Sequence, residues 1–171
     1  MTKDIESWVR SVRATLAQMA SQGIGYPMDV NEVSESSSEL PPGVPPALEP
    51  MYAVFDGLSL PDVHNGYFID QADRLVTATQ RGGPTRLEGE PPRRIHVFGS
   101  DGGGSLFALD LDDETIYYLP SSGVYKDGVF LADKLEPVCV VAGNVMEFLD
   151  RLKADIEAFV RGEQKYPYMA R

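Results

Sequence analysis

Cysteine occurs once, at Cys139, and histidine twice, at His64 and His96. A disulfide framework needs cysteine in pairs, and a zinc site built on Cys and His needs more such ligands than the chain holds, so both are set aside. No run reaches the ~18 consecutive apolar residues of a membrane span. The opening MTKDIESWVR places charges where a signal peptide carries its apolar centre, which predicts a soluble, cytoplasmic chain. Positive charge is also scarce: 15 Lys and Arg against 26 Asp and Glu leave a net charge of −11 over 171 residues. Phosphate backbones and anionic lipid repel such a chain, so neither nucleic acid nor membrane is expected as a partner, and a basic protein is. A chain of this length buries enough surface for one core, and a single domain over residues 1–171 is expected.

What charge there is lies unevenly. Residues 14–73 carry nine acids (Asp29, Glu32, Glu35, Glu39, Glu49, Asp56, Asp62, Asp70 and Asp73) and no Lys or Arg. Between residues 74 and 94 the sign reverses through Arg74, Arg81, Arg86, Arg93 and Arg94. Residues 95–125 return to acid with Asp101, Asp110, Asp112, Asp113 and Glu114 and no base. Such blocks form solvated surface as a rule; their functional reading is an acidic face that steers a basic partner.

Periodicity supplies the elements. Ile5, Trp8, Val9, Val12, Leu16 and Met19 recur at helical spacing, which predicts an amphipathic helix over residues 4–21. The serine-rich DVNEVSESSSE that follows predicts a mobile polar loop over about residues 29–40. Proline near residues 45–46, with Leu48, Met51, Tyr52 and Phe55 as an apolar face, predicts one short helix ended by Gly57. Short strands are expected at residues 66–69 and 74–79. From Arg93 to residue 142 the pattern predicts four or five strands, with turns at SDGGG, at residues 112–114 and at Asp127-Gly128. A final helix begins at Asn144, with Glu147 three residues on as in a capping box, and carries an apolar stripe through Phe148, Leu149, Leu152, Ile156 and Phe159. Turns this close leave no room for helical crossovers, so the fold class is α+β, a mostly antiparallel mixed sheet flanked by an N-terminal and a C-terminal helix. The expected core is Trp8, Val12, Leu16, Phe55, Val97, Phe107, Leu109, Ile116, Val140, Phe148, Leu152, Ile156 and Phe159.

Candidate chemistry is thin. Asp110, Asp112 and Glu114 have the one, three, five spacing of a calcium loop, but Thr115 stands where the sharp turn needs Gly and Ser121 where the bidentate Glu belongs, so a solvated turn is expected and no metal. SDGGG lacks the Lys-Ser/Thr pair of a phosphate loop and the spacing of a dinucleotide fingerprint, so no cofactor is expected. His64 and His96 have no nucleophile or second base at motif spacing, and Cys139 among valines predicts a buried small hydrophobe. No catalytic set assembles. Tyr118 and Tyr125 beside Asp110, Asp112, Asp113 and Glu114 form an aromatic and anionic constellation suited to a protein interface.

The run VFGSDGGGSLFALDLDDETIYYLP followed by VVAGNVMEFLDRLKADI resembles the SUKH superfamily, the Smi/Knr-like proteins. There a strand enters an Asp-Gly-x-Gly turn, matched here by Asp101, Gly102 and Gly104, and the next strand ends in a Leu-Asp pair, matched by Phe107, Leu109 and Asp110. Phe148 and Leu149 match the opening of the family's last helix, and Asp56 and Gly57 close a segment like its early Leu-Pro region. The resemblance spans about residues 40–160. It implies a SUKH-like α+β domain in which Gly57, Asp101, Gly102, Gly104, Phe107, Asp110 and Phe148 are structural. It also implies a non-catalytic bacterial immunity protein that binds a cognate toxin, such as a nuclease or deaminase. The alternative is a regulatory scaffold or adaptor. A metal-dependent hydrolase using Asp101, Asp110 and Asp112 ranks behind both.

Overall fold

The computed structural model describes residues 2–26, 30–36, 39–75 and 83–163. Helix α1 (Thr2–Ser21) buries the expected stripe of Ile5, Trp8, Val9, Val12, Leu16 and Met19. Trp8 Nε1 donates to the Leu149 carbonyl at 2.5 Å, which satisfies the indole where it is almost wholly buried. Strand β1 (Glu32–Glu35) follows, where the polar composition predicted a loop. Its residues pair antiparallel with a later strand, and Arg13 on α1 donates to the Val33 carbonyl and the Glu35 carboxylate, so tertiary partners order a segment with little local preference. The short helix α2 (Glu49–Tyr52) opens with Pro50 in its first turn, a few residues later than expected. Gly57 does not end that helix. It sits inside β2 (Phe55–Leu60) at φ 94°, where an added Cβ would meet the Ile69 carbonyl oxygen at 2.9 Å, a close approach only glycine permits.

The remaining strands are β3 (Tyr67–Ile69), β4 (Arg86–Leu87), β5 (Arg93–Ser100), β6 (Leu106–Asp110), β7 (Ile116–Leu119), β8 (Val124–Lys126), β9 (Val129–Leu131) and β10 (Cys139–Ala142). Six of them lie where four or five were expected. The strand predicted over residues 74–79 is not formed where it can be described: residues 72–75 are helical, and residues 76–79 lie outside the described residues. Helix α3 (Val145–Val160) is capped by Asn144, whose side chain accepts from the Glu147 amide, while Glu147 reaches back to the Gly143 amide.

The sheet runs β1-β2-β3-β5-β6-β7-β10 with every neighbouring pair antiparallel. It forks at β5. The C-terminal end of β5 pairs with β3 through Gly99 and Ser100, whereas its N-terminal end pairs with β4 through Arg93 and Arg94. Strand β9 joins β4 in the one parallel pairing among the described strands, and β8 pairs with β9 across Asp127 and Gly128, whose φ values of 53° and 76° fit the tight hairpin. The fold class is therefore α+β with a mostly antiparallel mixed sheet.

Both faces of the central strands are covered. Phe98, Phe107, Leu109, Ile116 and Val141 join the three helices in the larger core, while Ile95, Ala108, Tyr117 and Leu119 pack with Leu87 and Phe130 from the second branch of the fork. Strands buried on two sides read as near-continuous apolar runs rather than as clean alternation, which is the pattern of SLFALDL. Most of the expected core is buried; Val97 and Phe159 are half-buried. Val140 differs: it is 55% exposed, and Val141 takes the buried place. A register irregularity between Val140 and Ala142 against β7 rotates the strand there, and a shift of one residue exchanges its faces. Cys139 is half-buried, not enclosed.

Candidate functional site

Asp110 ends β6 fully buried, its Oδ1 accepting from the Asp112 amide at 2.9 Å and its Oδ2 facing Arg93 Nη1 at 2.8 Å. The same Arg93 nitrogen reaches Asp113 Oδ2 at 2.7 Å, and Arg94 pairs with Asp112. The two arginines come from β5, seventeen to twenty residues away in sequence, because β5 and β6 are adjacent and antiparallel. Three of the four predicted partner-binding acids are thus engaged within the chain, and Glu114, in the left-handed region at φ 64°, is exposed.

The tip has a readable acid response. The Arg94 guanidinium holds the Asp112 carboxyl below the ordinary range, and the Thr115 hydroxyl together with Arg93 does the same for Asp113. Lowered folded-state values mean that these pairs stabilise fully above the unfolded carboxylate value of ~3.9 and lose that contribution as pH falls through the folded-state values. In a carbon-detected carboxyl titration Arg94→Ala is expected to return Asp112 toward the ordinary value while leaving Asp113 low.

The two predicted tyrosines do not gather beside this tip. Tyr118 packs against Phe107 and donates to Asp101 Oδ2 at 2.7 Å; burial, with the Asp101 carboxylate, pushes its hydroxyl up to about 12. Tyr125 lies on β8, 57% exposed, in the second branch of the sheet. Asp101 also accepts from the Gly103 and Ser105 amides at 2.9 and 3.0 Å, which closes the SDGGG turn. Gly102, at φ 68°, lies so near Asn65 that an added Cβ would stand 2.1 Å from its carbonyl oxygen, and Gly104 turns at φ 95°. Phe107 and Phe148 are buried with ring centroids 5.2 Å apart.

Sequence reasoning missed three arrangements. In the first, Asp155 of α3 is fully buried, with Oδ2 accepting from the Tyr67 hydroxyl at 2.6 Å and lying 3.2 Å from His64 Nε2. His64 occupies the left-handed region at φ 55°, in the turn between β2 and β3, and its ring meets Phe159 edge-on at 4.9 Å. Turn and helix are clamped together through a carboxylate that helical spacing alone places on the apolar face. The second is a groove of about 420 Å³ where Glu39, Asp56 and Asp73 stand around Leu40, Pro42 and Ala72, with Asp56 accepting from the Ala72 amide. The third is a cavity of about 280 Å³ in the notch where β3 and β4 part along β5. Asp70, Pro84, Ile95, His96, Val97, Leu106 and Tyr125 line it. Burial raises the Asp70 carboxyl against the opposing pull of Arg74, and burial lowers His96 against a hydrogen bond to the Leu75 backbone. The neutral run of Ile95, Val97 and Leu106 was legible as strand, but its meeting with Asp70 and Tyr125 depends on the fork.

No family model matches the chain, and no curated protein or solved structure matches it. No helix of the described residues is long and apolar enough to cross a membrane, and no group of three or more His, Cys, Asp or Glu among them is placed to hold a metal ion.

Proposed function

We propose that this chain is a non-catalytic protein-binding domain, an immunity protein of the SUKH type that neutralises a basic bacterial toxin domain by direct contact in the cytoplasm. The observation that carries the reading is the acid-rich end of the fold, where Arg13 of α1 engages one of the acids, Glu35. Residues 14–73, with nine acids and no Lys or Arg, supply the short helix α2 and strands β1, β2 and β3, which are consecutive in the sheet from its edge inward. Glu39, Asp56 and Asp73 surround one groove there. The tip at residues 110–114 is offset by Arg93 and Arg94, so its field is weaker than its composition suggests. A toxin acting on nucleic acid needs a basic substrate groove, and an anionic surface can occupy it and speed the encounter.

The test is co-expression with a toxin-like C-terminal domain, taken from the nearest upstream gene that encodes one, with growth rescue and co-purification as readouts. The association rate is expected to fall steeply as salt rises. The paired reversal Glu39→Lys and Asp73→Lys is expected to slow association by about tenfold, and the reversal of Asp112 and Asp113 serves as the comparison at the tip. Binding insensitive to salt and to both reversals would place the interface elsewhere. Absence of rescue and of a complex would transfer the assignment to a regulatory adaptor.

A further inference from the structure

We propose that the cavity at the fork of the sheet, lined by Asp70, Pro84, Ile95, Val97, Leu106 and Tyr125, is a socket for one arginine side chain presented by the protein partner. The source of that arginine rests on the protein-binding reading above; the chemistry of the socket stands on its own geometry. Strands β3 and β4 both pair with β5, but at opposite ends of it, and the notch between them opens an apolar floor of Ile95, Val97 and Leu106. An aliphatic stem of three methylenes is the part of arginine such a floor accepts. Tyr125 stands at the cavity, 57% exposed, and a tyrosine ring is a surface on which a guanidinium stacks. Asp70 supplies the one carboxylate among the lining residues; burial makes its charged form costly, and the attraction of an arriving cation offsets that cost and favours the charged form.

The other charges nearby support the same occupant. His96 lines the cavity, and burial lowers its tendency to take up a proton, so it adds no competing positive charge. Arg74 is a cation that acts on Asp70 from within the chain, and it offsets the burial of that carboxyl only in part. A volume of about 280 Å³ is ample for a single arginine side chain and lies at the small end of ligand sites, about 300–1,000 Å³. Arginine is preferred to lysine because a planar guanidinium can lie on the ring and meet the carboxylate at once, while a compact ammonium does one or the other.

The test titrates the intact, isotope-labelled chain with N-acetyl-arginine amide and, separately, with N-acetyl-norleucine amide, which keeps the stem and lacks the charge. Amide shifts at Val97, Leu106 and Tyr125 are the readout. The proposal expects saturable shifts confined to the fork and a preference for the arginine probe of about tenfold or more. Tyr125→Ala, at an exposed position, and Asp70→Asn, accepted only if its spectrum stays dispersed, are each expected to reduce that preference. Equal binding of the two probes would overturn the proposal in favour of a simple apolar pocket, and an absence of saturable shifts would overturn it outright. Failure here is separable from failure of the immunity reading. Toxin neutralisation that persists while the arginine probe does not bind removes the socket alone, and probe binding without any neutralised toxin leaves the socket and removes the immunity reading.

Discussion

Phe148→Ala is expected to lower the free energy of unfolding by about 3 to 5 kcal/mol, the range for truncating a fully buried phenylalanine. Phe148 is wholly enclosed, and its ring meets Phe98 of β5 and Phe107 of β6 edge-on, each with a centroid distance of 5.2 Å. It is therefore the point at which α3 is fixed to the two central strands. Those strands are held on their other face by Leu87 and Phe130, so they cannot move inward to fill the space the ring leaves, and the cavity term is retained in full. For a chain of this size the change corresponds to a fall in melting temperature of roughly 6 to 20 °C. A denaturant titration with an unchanged slope would assign the effect to the folded state. A loss below about 0.5 kcal/mol would mean that the stripe on α3 does not pack on the sheet.

Tyr67→Phe is expected to destabilise the fold by about 2 to 3 kcal/mol through a different mechanism. The substitution leaves the ring and removes one hydroxyl. That hydroxyl donates at 2.6 Å to Asp155, a fully buried carboxylate whose second oxygen, Oδ1, has no hydrogen-bond partner among the described residues. Without it the carboxylate retains His64 alone, at 3.2 Å. Because the loss is the penalty of an ill-compensated buried acceptor, removing the acceptor as well is expected to recover much of it: Tyr67→Phe combined with Asp155→Leu should be more stable than Tyr67→Phe. If the double variant is the weaker of the two, the carboxylate is a net stabiliser rather than an ill-compensated acceptor. The alkaline limb gives a second readout. Burial and the Asp155 hydrogen bond raise the Tyr67 hydroxyl well above its ordinary range. Stability linked to it is complete below the unfolded value of ~10 and declines as pH rises beyond that, because the unfolded chain ionises first. Tyr67→Phe should flatten that decline.

The legible and the illegible residues divide along one line. Helices α1 and α3 could be read because their apolar residues recur every three or four positions within one segment, and the Asn144 cap and the Asp127-Gly128 turn because each is complete within a few residues. Asp155 was illegible for the converse reason. A carboxylate on an apolar stripe reads as an error in the pattern until Tyr67, 88 residues away, is placed beside it. The aromatic and anionic constellation fails in the same way. Tyr118 and Tyr125 are seven residues apart, yet one is tied to Asp101 under the helices and the other stands in the second branch of the sheet.

The sequence by itself determined the α+β class, the two terminal helices, the turns of the C-terminal half and the net charge with its uneven placement, since each is a sum or a short-range pattern. It also determined that residues 14–73 would be anionic wherever they lay. Only the tertiary structure decided where the acids gather: β5 brings Arg93 and Arg94 against Asp110, Asp112 and Asp113, while Glu39, Asp56 and Asp73 stand around one groove. It alone decided that β5 would be shared at its two ends by β3 and β4, which opens the notch beside Ile95 and Val97. The physical reason is that strand pairing joins segments by backbone hydrogen bonds that every residue but proline can make, so the sequence constrains which strands can form far more tightly than which strands will meet.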